Sequence, residues 1–256
     1  MMKELTKKLT TEKAIITETD KGKTIVIINS NEYSEKVHSF LTANNFNILT
    51  KDQTEKFHNL TYKTMQESNL IIDKKQIKLL TQKKVSSPTL KAQIKLHKTD
   101  IPILSVISNR IAPAYKLARY LTKTLDQYIS LNNYFNVTNS TNFANDLTNL
   151  EIHENHRMIT FGIKDLYVNL LIDEILNIIK TKLLQNNIQI TYQMPSLLKG
   201  ILSQNYFMFQ QNIYQPAQGI YMGSPISSLT AEIFLQHYED ANIKQHLDMK
   251  NIALYV

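Results

Sequence analysis

The chain has 256 residues, 43% of them hydrophobic and 20% charged, which is enough apolar material for one large or two small domains with a real core. It has no cysteine, so a disulfide framework and a thiolate zinc site are both excluded, and its seven histidines are scattered without the spacing of a helical metal site. The 29 basic residues against 22 acidic ones leave a net charge of +7, which favours a polyanionic partner, with nucleic acid the leading candidate. The opening MMKELTKKLTTEK has no apolar signal region, and no later run reaches the length of a membrane span. The expectation is therefore a soluble intracellular chain, nuclear or cytoplasmic, neither membrane-bound nor secreted. On that expectation the sequons at Asn59, Asn136 and Asn139 go unused.

In chain order, Ala14 to Thr17 and Ile25 to Ile28 are β-rich runs around a turn containing Gly22, which predicts a hairpin. Asn29 with Glu32 has the spacing of a capping box, and Tyr33, Val37, Phe40 and Leu41 follow at helical intervals. A second, more polar helix is expected over about 52–67, with Phe57, Leu60 and Met65 on its apolar side. From Leu90 the pattern alternates: Lys91, Lys95, His97 and Lys98 are interleaved with Ile94 and Leu96, which predicts a strand with a basic face. Such a strand suits a phosphate backbone, and a solvated edge strand accounts for it as well. Pro113 then opens a helix with the stripe Leu117, Leu121, Leu125 and Tyr128, and carries Lys116, Arg119 and Lys123 on its other sides. Residues 132–145, rich in Asn, contain loop material.

In the second half, 157–163 is the most strand-like run, with Ile159, Phe161 and Ile163 on one side and Met158, Thr160 and Gly162 on the other. Asp173 and Glu174 mark a helix start before the stripe Ile175, Ile178, Ile179 and Leu183. A short helix over 195–202 and a hairpin from 206–209 to 213–215 lead into GIYMGSPISSLTAEIFLQHY, residues 219–238. Gly219 and Gly223 free the backbone for positive φ there, Ser224 is placed to cap a helix, and Pro225 suits its first position. A glycine lead-in to a helix N-terminus fits a phosphate group, and a capped surface helix explains it equally.

Taken together and in order, the blocks Asp20-Lys21-Gly22, Lys95-Leu96-His97-Lys98, Ala112 to Ala118, Thr160 to Asn169 and Gly219 to Tyr238 resemble a reverse transcriptase, specifically the Penelope-like retroelement group. The resemblance implies an α+β fold, a partial right-hand polymerase with fingers and an incomplete palm, helix-rich with a small antiparallel sheet. It divides the chain into an N-terminal lobe over 1–88 and fingers with partial palm over 89–256. By the same resemblance, Lys95, Lys98, Ile163, Tyr167, Gly219, Met222, Gly223, Ser224 and Pro225 contact nucleotide or template, and the partners are an RNA template and a DNA primer. Polymerases of this type use Mg²⁺ or Mn²⁺ held by three aspartates.

The resemblance fails at the chemistry. Gly162 stands where the family has its first metal-binding aspartate, and Tyr255-Val256 matches only the first two letters of the Tyr-X-Asp-Asp turn. Asp165 is three residues from Gly162, about 10 Å along a strand and on the other face, so it is no substitute. Pro102-Ile103-Leu104-Ser105 lacks the arginine that family members use to hold triphosphate, and Pro216 follows Tyr214 where they often have Gln. The expectation is a truncated reverse-transcriptase domain with no intact catalytic residue and no bound metal. The alternatives are a nucleic-acid-binding module without chemistry, or an α+β remnant without selected function. If the palm reading holds, 158–163 and 254–256 lie in one sheet, and Gly162, Tyr167, the glycine loop and Lys95 or Lys98 share one cleft.

Overall fold

The structure is a computed structural model that describes residue 9 and residues 11–131, 135–186, 189–249 and 252–256. It is a mixed α+β arrangement, 47% helical. Strands β1 (Ala14–Glu18) and β2 (Ile25–Asn29) form a two-stranded antiparallel hairpin. Its turn uses Gly22 at φ +75 and is tied by Thr19 N–H to Thr24 O at 2.9 Å. Asn29 caps helix α1 (Ser30–Ala43) by accepting from Asn31 N–H, and Tyr33, Val37 and Leu41 form its buried face. The Glu32 half of the expected capping box is not used.

The second sheet has five strands in the order β3, β7, β6, β4, β5: Phe46–Leu49, Asn212–Pro216, Phe207–Phe209, Thr89–Ile94 and Ile103–Ser108. All pairs are antiparallel except β4 with β6, which meet in parallel at Thr89 and Met208 only. Because β6 covers so little of β4, the remaining backbone on that side needs other partners. Thr17 Oγ1 donates to Ala92 O at 2.7 Å, Ala92 N–H donates to Tyr33 Oη at 2.8 Å, and Thr19 bridges to Ile94. These bonds hold the β1–β2 hairpin and α1 on the sheet, over a core of Val37, Ala92, Ile94, Ile107 and Phe207.

A second core is helical. It gathers α2 (Thr54–Gln66), α3 (Lys74–Leu80), α4 (Tyr115–Tyr128), α6 (Leu166–Asn169), α7 (Ile172–Gln185), α8 (Gln193–Leu202) and α9 (Ser227–Asp248), while α5 (Ser140–Thr148) contributes no buried residue. Leu121, Leu125, Ile175, Ile179, Leu183, Leu197 and Leu198 are fully enclosed, as the helical stripes require. Both cores cross residue 88: β3 pairs with β7, and Thr54 Oγ1 lies 2.8 Å from Tyr206 Oη.

Three expectations are corrected. Residues 157–163 form no strand. Met158, Ile159, Phe161 and Ile163 are 96%, 67%, 87% and 61% exposed, no sheet joins them to 254–256, and Leu254 and Val256 are themselves exposed. Alternation makes a strand only where a neighbouring edge completes the ladder, and no described strand lies there. Next, Lys95 to Lys98 is the turn between β4 and β5 and not a basic strand, with Lys98 N–H donating to Lys95 O. Finally, the stretch 132–145, expected to contain loop material, is non-helical only up to Asn139 and from residue 140 belongs to α5, because Asn139 Oδ1 accepts from Thr141 and Asn142 N–H; residues 132–134 lie outside the described residues.

The glycines separate sharply in this architecture. Gly219 (φ +78) and Gly223 (φ +122) both occupy the left-handed half of φ space, and a Cβ on either would fall on a backbone carbonyl, Val168 O or Ile107 O respectively. Gly162 has nothing within 4 Å of a Cβ. Gly219→Ala and Gly223→Ala are each expected to destabilise the fold by about 2–4 kcal/mol, against less than about 0.5 kcal/mol for Gly162→Ala, measured by urea unfolding.

Candidate functional site

The glycine loop joins the two cores. Gly219 O accepts from Asn205 Nδ2 at 2.7 Å, Ile220 N–H donates to Tyr167 O at 2.8 Å, Tyr221 O accepts from Ser227 Oγ at 2.9 Å, and Met222 O accepts from Ile107 N–H at 2.8 Å. Four successive residues are thereby tied to β5, α6, α9 and the segment before β6. Asn205, which the sequence reading did not single out, is buried and reaches the loop across 14 residues. The Asn before an aromatic strand was visible in the sequence, but its target carbonyl was not.

Helix α9 starts later than expected. Ser224 is not its cap: Ser224 to Ser227 is a turn, with Ser227 N–H donating to Ser224 O at 3.1 Å, and the helix begins at Ser227 after Ile226. The cause is the anchoring of Met222 and Gly223 against Ile107, which obliges the chain to leave the β5 edge before it can coil. Pro225 lies in that turn and its carbonyl accepts from Thr122 Oγ1 at 3.2 Å, linking the loop to α4.

The residues singled out from the sequence fall into three places. Tyr167 and the glycine loop come together: Tyr167 is half-buried against the helical core, Met222, Ser224 and Pro225 are half-buried, Gly223 is exposed, and Gly219 is buried. Gly162 and Ile163 lie in the exposed segment before α6, and Asp165 follows in left-handed conformation at φ 51. Lys95 and Lys98 lie at the opposite end of β5 from the loop: Lys95 N–H bonds Pro102 O, whereas the loop meets Ile107. Five residues of strand separate those points by roughly 16 Å, so the lysines do not sit at the loop.

Lys95 and Lys98 have a different neighbour, the Asp20-Lys21-Gly22 turn. Asp20 N–H donates to Ile94 O at 3.3 Å, and Asp20 Oδ1, buried without a hydrogen-bond donor, lies 3.5 Å from His97 Nδ1. Lys21, Lys23 and Lys98 are exposed around this contact.

The sequence reading picked out Lys91, Lys95 and Lys98 and, separately, Lys116, Arg119 and Lys123, but not the acid-poor run that contains both groups. Between Lys74 and Leu125 the only acid is Asp100, against Lys74, Lys75, Lys78, Lys83, Lys84, Lys91, Lys95, Lys98, Arg110, Lys116, Arg119 and Lys123. The fold gathers these. Tyr120 Oη donates to Ile71 O and accepts from Gln76 Nε2, fixing α3 on α4. Lys116 Nζ donates to Leu79 O and Thr81 O at the end of α3, and Gln82 Nε2 donates to Arg110 O. On β4, Leu90, Ala92 and Ile94 enter the core, so Lys91 faces solvent beside Gln93. The result is a basic track of exposed or half-buried cations on α3, the 81–84 loop and α4, to which β4 adds Lys91 alone and the 95–98 turn adds Lys95 and Lys98.

Between the cores, Asp52 accepts from Thr54 N–H, Thr54 Oγ1 and Ser87 Oγ, and Thr54 meets Tyr206 Oη. Burial opposes ionisation of Asp52, but these donors outweigh it and hold its carboxyl below the ordinary range. Burial pushes the Tyr206 phenol well up, with Thr54 opposing, and pushes Tyr221 up to about 12, with its hydrogen bond to Asn109 opposing. A small cavity of mixed lining, with Asn109, Gln204, Tyr206, Tyr221 and Ser224 beside apolar Pro113 and Ile201, lies between them, against the glycine loop.

Neither a scan against protein-family models nor a search of curated proteins returns a match.

The phenols with raised values contribute stability that is complete below the free-tyrosine value, about pH 10, and is lost as pH rises through 12. Asp52, with a lowered value, contributes stability that is present above about pH 4 and is lost as the pH falls through its folded value. The urea midpoint is therefore expected to be flat between those limits and to fall on both sides, and Tyr206→Phe should blunt the alkaline fall only.

Proposed function

We propose that this chain is a reverse-transcriptase domain of a Penelope-like retroelement that holds nucleic acid and does not polymerise. The observation that carries binding is the charge segregation along the chain: residues 74–125, which supply the basic track, hold one acid against twelve Lys and Arg, whereas the whole chain is only +7. A strand of six residues spans roughly 20 Å, the length of about six phosphates on one nucleic-acid strand. The reading as a polymerase relative is supported by convergence in space: the Asp20 turn packs on the Lys95–Lys98 turn, and the glycine loop meets Ala112 to Tyr115 across a shared cavity and bonds Tyr167 O through Ile220 N–H. The fingers-like portion carries this reading, since the strand expected of a palm is not formed.

The Mg²⁺ or Mn²⁺ of such polymerases does not fit the residues present. Gly162 offers no ligand, and among the described residues no group of three or more His, Asp or Glu is placed to hold a metal ion. No catalytic step is derived through one. No helix among the described residues is long and apolar enough to cross a membrane.

Fluorescence anisotropy with a labelled RNA–DNA primer-template duplex tests the binding. Affinity should fall steeply with salt, with a log–log slope of about −3 or steeper, and Lys91→Glu should weaken binding and flatten the slope by about 1. Salt-independent binding or none would leave an inert α+β remnant as the reading. Primer extension with either metal ion should be absent for the chain and for Gly162→Asp, since one carboxylate on an exposed segment cannot align two ions. Extension by the unaltered chain would overturn the reading.

A further inference from the structure

Resting on the binding reading, we infer that Lys116 is a positioning residue for the nucleic-acid surface: it makes no phosphate contact of its own and holds the 81–84 loop so that Lys83 and Lys84 are presented in place. Its ammonium is already committed. Lys116 Nζ donates to Leu79 O at 3.1 Å and to Thr81 O at 3.3 Å, one carbonyl in the last turn of α3 and one just beyond it. A helix end leaves such carbonyls without an intrahelical partner, and its dipole favours a cation beside them. Within its own helix Lys116 is badly placed. It is the second residue of α4, where the dipole disfavours a positive charge, and no acid in that first turn offsets it. The reach across to α3 carries the charge from an end that repels it to one that attracts it.

The loop needs a tether of this kind. Helix α3 has seven residues and none of them is buried, so apolar packing holds it only weakly. Beyond Thr81, no backbone hydrogen bond among the described residues engages Gln82 to Val85, and Lys83 and Lys84 are exposed. The hydrogen bonds that tie this stretch to the rest of the molecule are the Lys116 clamp on Thr81 O, Gln82 Nε2 to Arg110 O at 3.0 Å and Ser86 N–H to Ile111 O at 3.1 Å. Lys116 is a firm anchor because Leu117 beside it and Leu121 one turn on are enclosed in the helical core. Lysines fixed before binding cost less to order than lysines on a free loop, so the strut raises affinity without changing the number of phosphates neutralised.

A nitroxide on Lys84→Cys, the only thiol in a chain without cysteine, reads the loop in the absence of nucleic acid. Its spectrum should sharpen in Lys116→Met, which keeps the stem and loses the donors, and return in Lys116→Arg. With the RNA–DNA primer-template duplex, Lys116→Met should weaken binding about fivefold at an unchanged salt slope, and Lys116→Arg should stay within about twofold of the unaltered chain. In a Lys83→Ala/Lys84→Ala background the Lys116→Met change should cost less than about 1.5-fold, because the residues it acts through are gone. A general loss of fold would persist in that background, and circular dichroism checks each variant for it. A salt slope flattened by about 1 in Lys116→Met, or an undiminished loss in the Lys83→Ala/Lys84→Ala background, would overturn the inference by marking a direct phosphate contact. An unchanged nitroxide spectrum beside intact binding would sink the strut alone, whereas an unaltered chain that binds no duplex sinks the binding reading and the role within it together.

Discussion

The close approach of the glycine loop to two backbone carbonyls sets the relation between the two halves of this molecule. Val168 O belongs to α6 and the helical core, and Ile107 O belongs to β5 and the sheet core. Gly219 and Gly223 contact them within five residues of one another, so a single short loop brings both cores together. Any side chain at those points would have to push a whole layer away, because carbonyls in packed elements do not yield as a flexible side chain does. The hydrogen bonds from Asn205, Ser227 and Ile107 then hold the loop in that position.

This changes what the glycines mean. A glycine before a helix suggests a backbone cleared for a ligand, yet at Gly219 the cleared space is filled by the protein itself. Gly223 is exposed and retains the possibility of an outside contact, but its conformation is already required by Ile107. The basic track, by contrast, is not consumed by the fold: apart from Lys116, whose ammonium caps α3, its cations make few internal bonds and face solvent. On the proposed reading, nucleic acid meets the charged outer surface of α3, α4 and β4, and the loop serves as the joint between the two cores.

The elements legible in the sequence are those whose signals are local. The β1–β2 hairpin, α1, α4, α7 and the β6–β7 hairpin each combine a periodic apolar pattern with a turn or cap within a few residues. What was not legible depends on partners far along the chain. The pairing of β3 with β7 joins residues about 166 apart, and nothing near Phe46 announces it. The opposite error, a strand at 157–163, came from a pattern that is correct for a strand but has no described edge beside it. The start of α9 was misplaced because Ser224-Pro225 is a good local helix start that the Ile107 anchor overrides. For the site, Tyr167 and the glycine loop do adjoin, whereas Lys95 and Lys98 belong with Asp20 at the other end of β5. The acid-free run from Lys74 to Thr99 required only counting, and the proposed binding rests on it.

Amide hydrogen exchange with and without an RNA–DNA primer-template duplex tests most directly whether that surface is the one used. Protection is expected in the 81–84 loop, along the exposed side of β4 around Lys91, and in the 95–98 turn with its neighbour at 20–23. Unchanged exchange there under conditions where the duplex is bound, with protection elsewhere on the molecule, would contradict the account.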